Sequence, residues 1–172
     1  MKAINDWENV KSSDDFETLE PGGYVCKIIA VEDNENKQYL KIAYDIAEGD
    51  LTGYWQRFAE RKGNWRGDFY RSYKDSAAGM FKGFINAVEG SNDGFSWAWN
   101  EQDLVGKSVG LVIGDEEYVA TDGSIQRWPK VRNVKTVQDI RDGKFRTPET
   151  KKVEPEPTVI PASPLNNDDM PF

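Results

Sequence analysis

From Gln38 to Ile46 the residues alternate without a break. Leu40, Ile42, Tyr44 and Ile46 share one parity, and Tyr39, Lys41, Ala43 and Asp45 the other. A period of two is the mark of a strand with one buried and one exposed face, and such a strand needs a sheet around it. Similar signals flank it. Tyr24–Val31 is a β-branched run after the Pro21-Gly22-Gly23 turn, and residues 33–36 are a polar turn. Leu51–Phe58 reads as a third strand, with Tyr54 and Phe58 alternating against Trp55 and Arg57. Lys107–Ile113 reads as a fourth. Residues 117–120 and 125–131 flank Thr121-Asp122-Gly123-Ser124, where Asp-Gly is a strong hairpin signal. Val134–Ile140 is expected to close the domain as a short strand or turn.

One segment breaks the pattern. Met80, Phe81, Phe84, Ile85 and Val88 form a helical stripe, so a helix is expected over Ala77–Val88, capped by Asp75 or Ser76 and ended by Gly90. Three strands, a helix and two or three strands fit a mainly β fold. The order is compatible with an OB-fold, a five-stranded Greek-key barrel with a helix between strands 3 and 4. This domain is expected over residues 21–146. Residues 1–20 form a polar lead-in with Trp7, Val10, Phe16 and Leu19 as possible anchors. Residues 147–172 are proline-rich and lack a hydrophobic period, so they are expected to be a disordered acidic tail.

Composition narrows the chemistry. There is no histidine, which removes His-based triads and His-containing zinc sites, and the single Cys26 permits no internal disulfide. Apolar runs are far shorter than the ~20 residues of a membrane span, and the N-terminus has no secretory h-region. A soluble, cytoplasmic, non-enzymatic protein without cofactor or metal is expected. Asp45-Ile46-Ala47-Glu48 and Asp115-Glu116-Glu117 are the nearest carboxylate clusters, and solvated turns explain them better than a nuclease site. Cys26, within an apolar strand, reads as a small core residue.

The net charge of −8 sits mostly at the ends. Between them, Tyr54–Lys74 reads YWQRFAERKGNWRGDFYRSYK and holds six basic residues, two acids and seven aromatics. Flat rings stack on bases whatever their identity, and cations meet phosphates. Trp55, Arg57, Arg61, Lys62, Trp65, Arg66, Tyr70, Arg71 and Tyr73 supply both. Tyr39 and Lys41 lie on the exposed parity of strand 2, and Trp128, Lys130 and Arg132 share a parity on the last strand, so all are candidate DNA contacts. Tyr54, Phe58 and Phe69 are better core candidates. A regulatory module with acidic ends, mimicking DNA or inhibiting a host nuclease without binding DNA itself, is the alternative. Aromatic platforms would also suit a sugar-binding β-domain. Edge strands leave room for a homodimer.

The chain ends Asn166-Asn167-Asp168-Asp169-Met170-Pro171-Phe172. A terminal ring beside acids on a long linker is a portable ligand for a pocket with a basic rim. The ending resembles the acidic tip of bacterial single-stranded DNA-binding proteins, with Met170 in place of the usual isoleucine or leucine. That resemblance implies that Asp168, Asp169, Met170, Pro171 and Phe172 recruit replication and recombination proteins. The basic–aromatic string, followed by GMFKGFINAVEGSN and GKSVGLVIGDEEY, looks like small phage and prophage proteins of Gram-positive hosts, believed to be OB-fold single-strand binders. The 20-residue lead-in and the long span between strand 3 and the helix depart from the bacterial cellular protein. The implied setting is phage replication in a bacterial cytoplasm.

Overall fold

A computed structural model describes residues 1–10 and 18–153. Five strands, β1 (Gly22–Asn34), β2 (Tyr39–Ile46), β3 (Asp68–Ser72), β4 (Ser108–Val119) and β5 (Ile125–Lys135), form one sheet in the order β3-β2-β1-β4-β5. Every neighbouring pair is antiparallel. Three helices accompany them: α1 (Tyr54–Lys62), α2 (Ala78–Ser91) and α3 (Val137–Arg141). None of the described helices is long and apolar enough to cross a membrane.

The alternation of β2 does what its period dictates. Leu40, Ile42, Tyr44 and Ile46 are buried, with Cys26, Ile28 and Val31 of β1 and Val109, Leu111 and Ile113 of β4. The stripe Phe81, Phe84, Ile85 and Val88 seats α2 on this layer. A smaller cluster joins Val25 and Val112 to Val137 and Ile140 of α3, with Phe145 packed against it. The Asp-Gly hairpin forms as expected: Gly123 takes φ 86°, and Ser124 N donates to Asp122 Oδ1 at 2.9 Å.

The expected third strand is instead a helix. Gly53, at φ 77°, turns the chain into α1. Tyr54 and Phe58 lie four residues apart, a spacing that satisfies a period of two and a period of 3.6 equally well. The helix prevails because a side chain from β2 completes its first turn. Asp45, buried, accepts from the backbone N–H groups of Trp55 (2.8 Å) and Gln56 (3.2 Å), as well as from its neighbour Ile46 (2.9 Å). Helix N-termini leave such donors without intrahelical partners. Asp45 is therefore a structural cap and not a solvated turn residue. The third strand then forms ten residues later than its expected end, as β3.

Two boundaries also shift. β4 runs unbroken through Gly114 and Asp115, joining two segments that were read as separate strands. The described chain continues past 146 to Val153, beside the distal half of β4. There Lys151 N donates to Asp115 O (2.9 Å), and Glu117 N donates to Lys151 O (2.8 Å). Lys151, within the segment expected to be tail, thus pairs with the distal half of β4. Of the lead-in anchors, Leu19 is buried whereas Trp7 and Val10 are exposed. Phe16 lies outside the described residues.

Candidate nucleic-acid interface

The β2–β3 pair presents a small aromatic and cationic surface. Lys41 stands directly across from Tyr70, and Tyr39 from Ser72. The Tyr39 and Tyr70 rings meet edge-to-face, centroids 5.2 Å apart. Tyr70 is 51% exposed. Arg71, opposite Leu40, folds its guanidinium to 5.2 Å from the Phe69 ring centroid and donates to Tyr70 O at 3.0 Å. Burial lowers its pKa, as expected for a cation losing water. Tyr39, Tyr70, Arg71 and Ser72, with Ala77 and Met80, line a shallow pocket of about 470 Å³.

A second group gathers where α1 meets β5. Arg66 stands 4.8 Å from the Trp128 ring centroid and Arg61 5.5 Å from that of Phe58. Phe58 and Trp128 themselves are 5.8 Å apart. Arg57, Lys62 and Lys130 are exposed, and Arg57 donates through Nη1 to Thr52 O.

Several of the expected ligand contacts have partners within the fold. Trp55 is 1% exposed, with Tyr44, Tyr54, Phe58 and Trp128 around its indole. It is core, because α1 turns it inward where a strand would have turned it out. Trp65 is half-buried and spends its Nε1–H on Gly67 O at 2.9 Å. Arg132 is exposed, and its side chain passes over the β-carbon position of Gly114, the residue that faces Lys130. Ile113 faces Val131 and Val112 faces Asn133, so Arg132 is the extra residue of a bulge. Its Nη2 donates to Asp115 O at 3.0 Å. Tyr73 belongs to a different wall, where its hydroxyl donates to Asp33 Oδ1 at 2.6 Å.

That wall was not read from the sequence. Phe81 and Trp99 lie nearly parallel (11°, centroids 6.4 Å apart), Trp97 tilts onto Trp99 at 5.8 Å, and Tyr73 meets Phe81 edge-on at 6.1 Å. The Trp97-Ala98-Trp99 spacing after the helix was the available signal. A further hollow, lined by Glu32, Asp33, Glu35 and Glu101, carries Lys41 as its only cation. Lys41, paired with Glu32 on one side and Tyr70 on the other, stands between this acidic hollow and the β2–β3 face.

Among the described residues no three His, Cys, Asp or Glu side chains converge on a metal-sized site. Cys26 is fully buried, and that burial pushes its thiol pKa well up, away from the reactive thiolate. The tip residues Asp168, Asp169, Met170, Pro171 and Phe172 lie outside the described residues. No protein-family model matches the chain, and no curated protein sequence matches it.

Proposed function

We propose that this chain is a non-catalytic binder of single-stranded DNA built on an OB-fold. Three features support the fold reading. The helix α2 stands between β3 and β4, the sheet is five-stranded and antiparallel, and its edge strands β3 and β5 approach each other. In an OB-fold, strands 2 and 3 form the nucleic-acid face.

The observation that carries the functional reading is the pairing on that face. Tyr70, exposed, lies across from Lys41 and edge-on to Tyr39. This combines a ring for a base with an ammonium for the adjoining phosphate, without any side-chain pattern that would select one base. Arg66 and Arg61, held over Trp128 and Phe58, form a second cationic group. The reading needs fewer aromatics than the sequence offers, because Trp55 is buried in the core. The C-terminal residues 168–172 then serve, on the strength of their sequence, as the recruiting tip for replication or recombination proteins.

Fluorescence anisotropy of labelled oligo-dT tests it. Binding is expected to favour single strands over duplex, since only unstacked bases can reach Tyr70. Log K should fall with log[salt] at about −0.7 per phosphate neutralised. Equal affinity for duplex, or no binding at about 50 mM salt, sinks the proposal.

A further inference from the structure

The aromatic wall beside α2 has a chemistry opposite to that of the β2–β3 face. Tyr73, Phe81, Trp97 and Trp99 line a cleft of about 370 Å³ whose charged lining residues are Asp33, Glu35 and Glu101, with no lysine or arginine among them. We propose that this cleft receives a cationic side chain, an arginine or lysine carried on a basic segment of a protein partner.

The rings are arranged for it. Phe81 and Trp99 are close to parallel, Trp97 is inclined to Trp99 by 59°, and Tyr73 is inclined to Phe81 by 73°. Phe81 is 6% exposed, so Tyr73, Trp97 and Trp99 offer the accessible ring surface of the cleft, of the kind that holds organic cations. Trp99 is 79% exposed, at φ 62°, a left-handed conformation that a tryptophan rarely adopts. The loop bearing these rings is pinned to the helix, since Trp97 N donates to Glu89 Oε2 at 2.9 Å. Asp33 is likewise oriented by the Tyr73 hydroxyl.

Charge decides between possible occupants. A base stacked on Trp99 would bring its phosphate toward three carboxylates, whereas a guanidinium or ammonium would meet π faces and carboxylates together. A peptide fits better than a free small cation. The same four rings also line an adjoining cleft of about 510 Å³ that continues along α2 past Asp75 and Glu89, with Lys82 as its one cation. The combined groove is longer than one side chain. This proposal does not depend on DNA binding.

The test uses the full chain and the indole N–H signals of its tryptophans in ¹⁵N–¹H spectra. A capped tetra-arginine peptide is titrated against its uncharged citrulline counterpart, with oligo-dT in a third arm. The arginine peptide should move the Trp97 and Trp99 signals and the citrulline peptide should not. Trp99→Ala, at an exposed position, should weaken the arginine peptide about tenfold, the scale of a cation–π contact partly withdrawn from water. Glu101→Gln should weaken it in the same direction. Equal shifts with citrulline, or unchanged affinity in Trp99→Ala, overturns the proposal. So does oligo-dT moving these two signals and displacing the peptide, which would make the cleft a nucleic-acid site. A failure of DNA binding alone would appear as no anisotropy change of labelled oligo-dT and leaves the peptide arm standing.

Discussion

Gly67 and the Trp55 indole occupy adjoining space so closely that a β-carbon at position 67 would stand 2.3 Å from Trp55 Cδ1. The glycine is required by that approach and not by its backbone angles. Together the two residues lock α1 to the start of β3. Gly67→Ala should cost about 1–3 kcal/mol by overpacking, and Trp55→Ala about 3–5 kcal/mol by leaving a cavity. Urea unfolding measures both. A Trp55→Ala protein that keeps wild-type stability would show that the indole is not core.

Asp45 completes the first turn of α1 from a strand ten residues upstream of Trp55. Asp45→Ala strands buried N–H donors and should cost about 1–3 kcal/mol. Asp45→Asn keeps one acceptor oxygen and should cost less. Asp50→Ala, in the exposed turn before the helix, is the control and should fall within about 0.5 kcal/mol of wild type.

On the β2–β3 face, Tyr70→Ala should weaken oligo-dT binding by about 1–3 kcal/mol with an unchanged melting temperature. Lys41→Ala should lower the steepness of the salt dependence by about 0.7. If both variants bind as wild type does, DNA does not use this face.

Three tyrosines set an alkaline limit, and burial raises the core residue Tyr44 the furthest. Burial, followed by Glu20, raises Tyr24 to about 12, and the hydrogen bond to Asp33 raises Tyr73 to about 12. Unfolded tyrosine titrates near 10. A raised folded-state pKa favours the protonated form, so this stability is complete below pH ~10 and is lost as pH rises toward ~12. Absorbance at 295 nm follows all seven phenols, and the late part of its rise reports the raised ones. Asp33→Asn should return Tyr73 toward its ordinary value and leave Tyr24 where it is.

Residues 147–153 add two backbone hydrogen bonds to β4. Truncation after Arg146 should therefore cost about 1–3 kcal/mol, at about 0.5–1.5 per bond. Truncation after Val153 should leave the melting curve in place. Equal stability of the two truncations would detach the segment from the fold.

What the sequence determined by itself was everything set by a short, unambiguous period or a local turn. β2, the apolar stripe of α2 and the Asp122-Gly123 hairpin needed only neighbouring residues, because burial of one face and a positive φ at glycine are decided within a few positions. The aromatic–cation island was legible as a composition but not as a surface. Tyr54 and Phe58 fit a strand or a helix equally, so the direction of Trp55 waited on Asp45 from β2 and on the absence of a side chain at Gly67. The bulge at Arg132 needed the register between β4 and β5. The approach of Tyr73 and Phe81 to Trp97 and Trp99 needed α2 to be seated on the sheet. Each of these is a long-range contact, and one-dimensional spacing carries no information about which distant partner satisfies a donor or occupies a space.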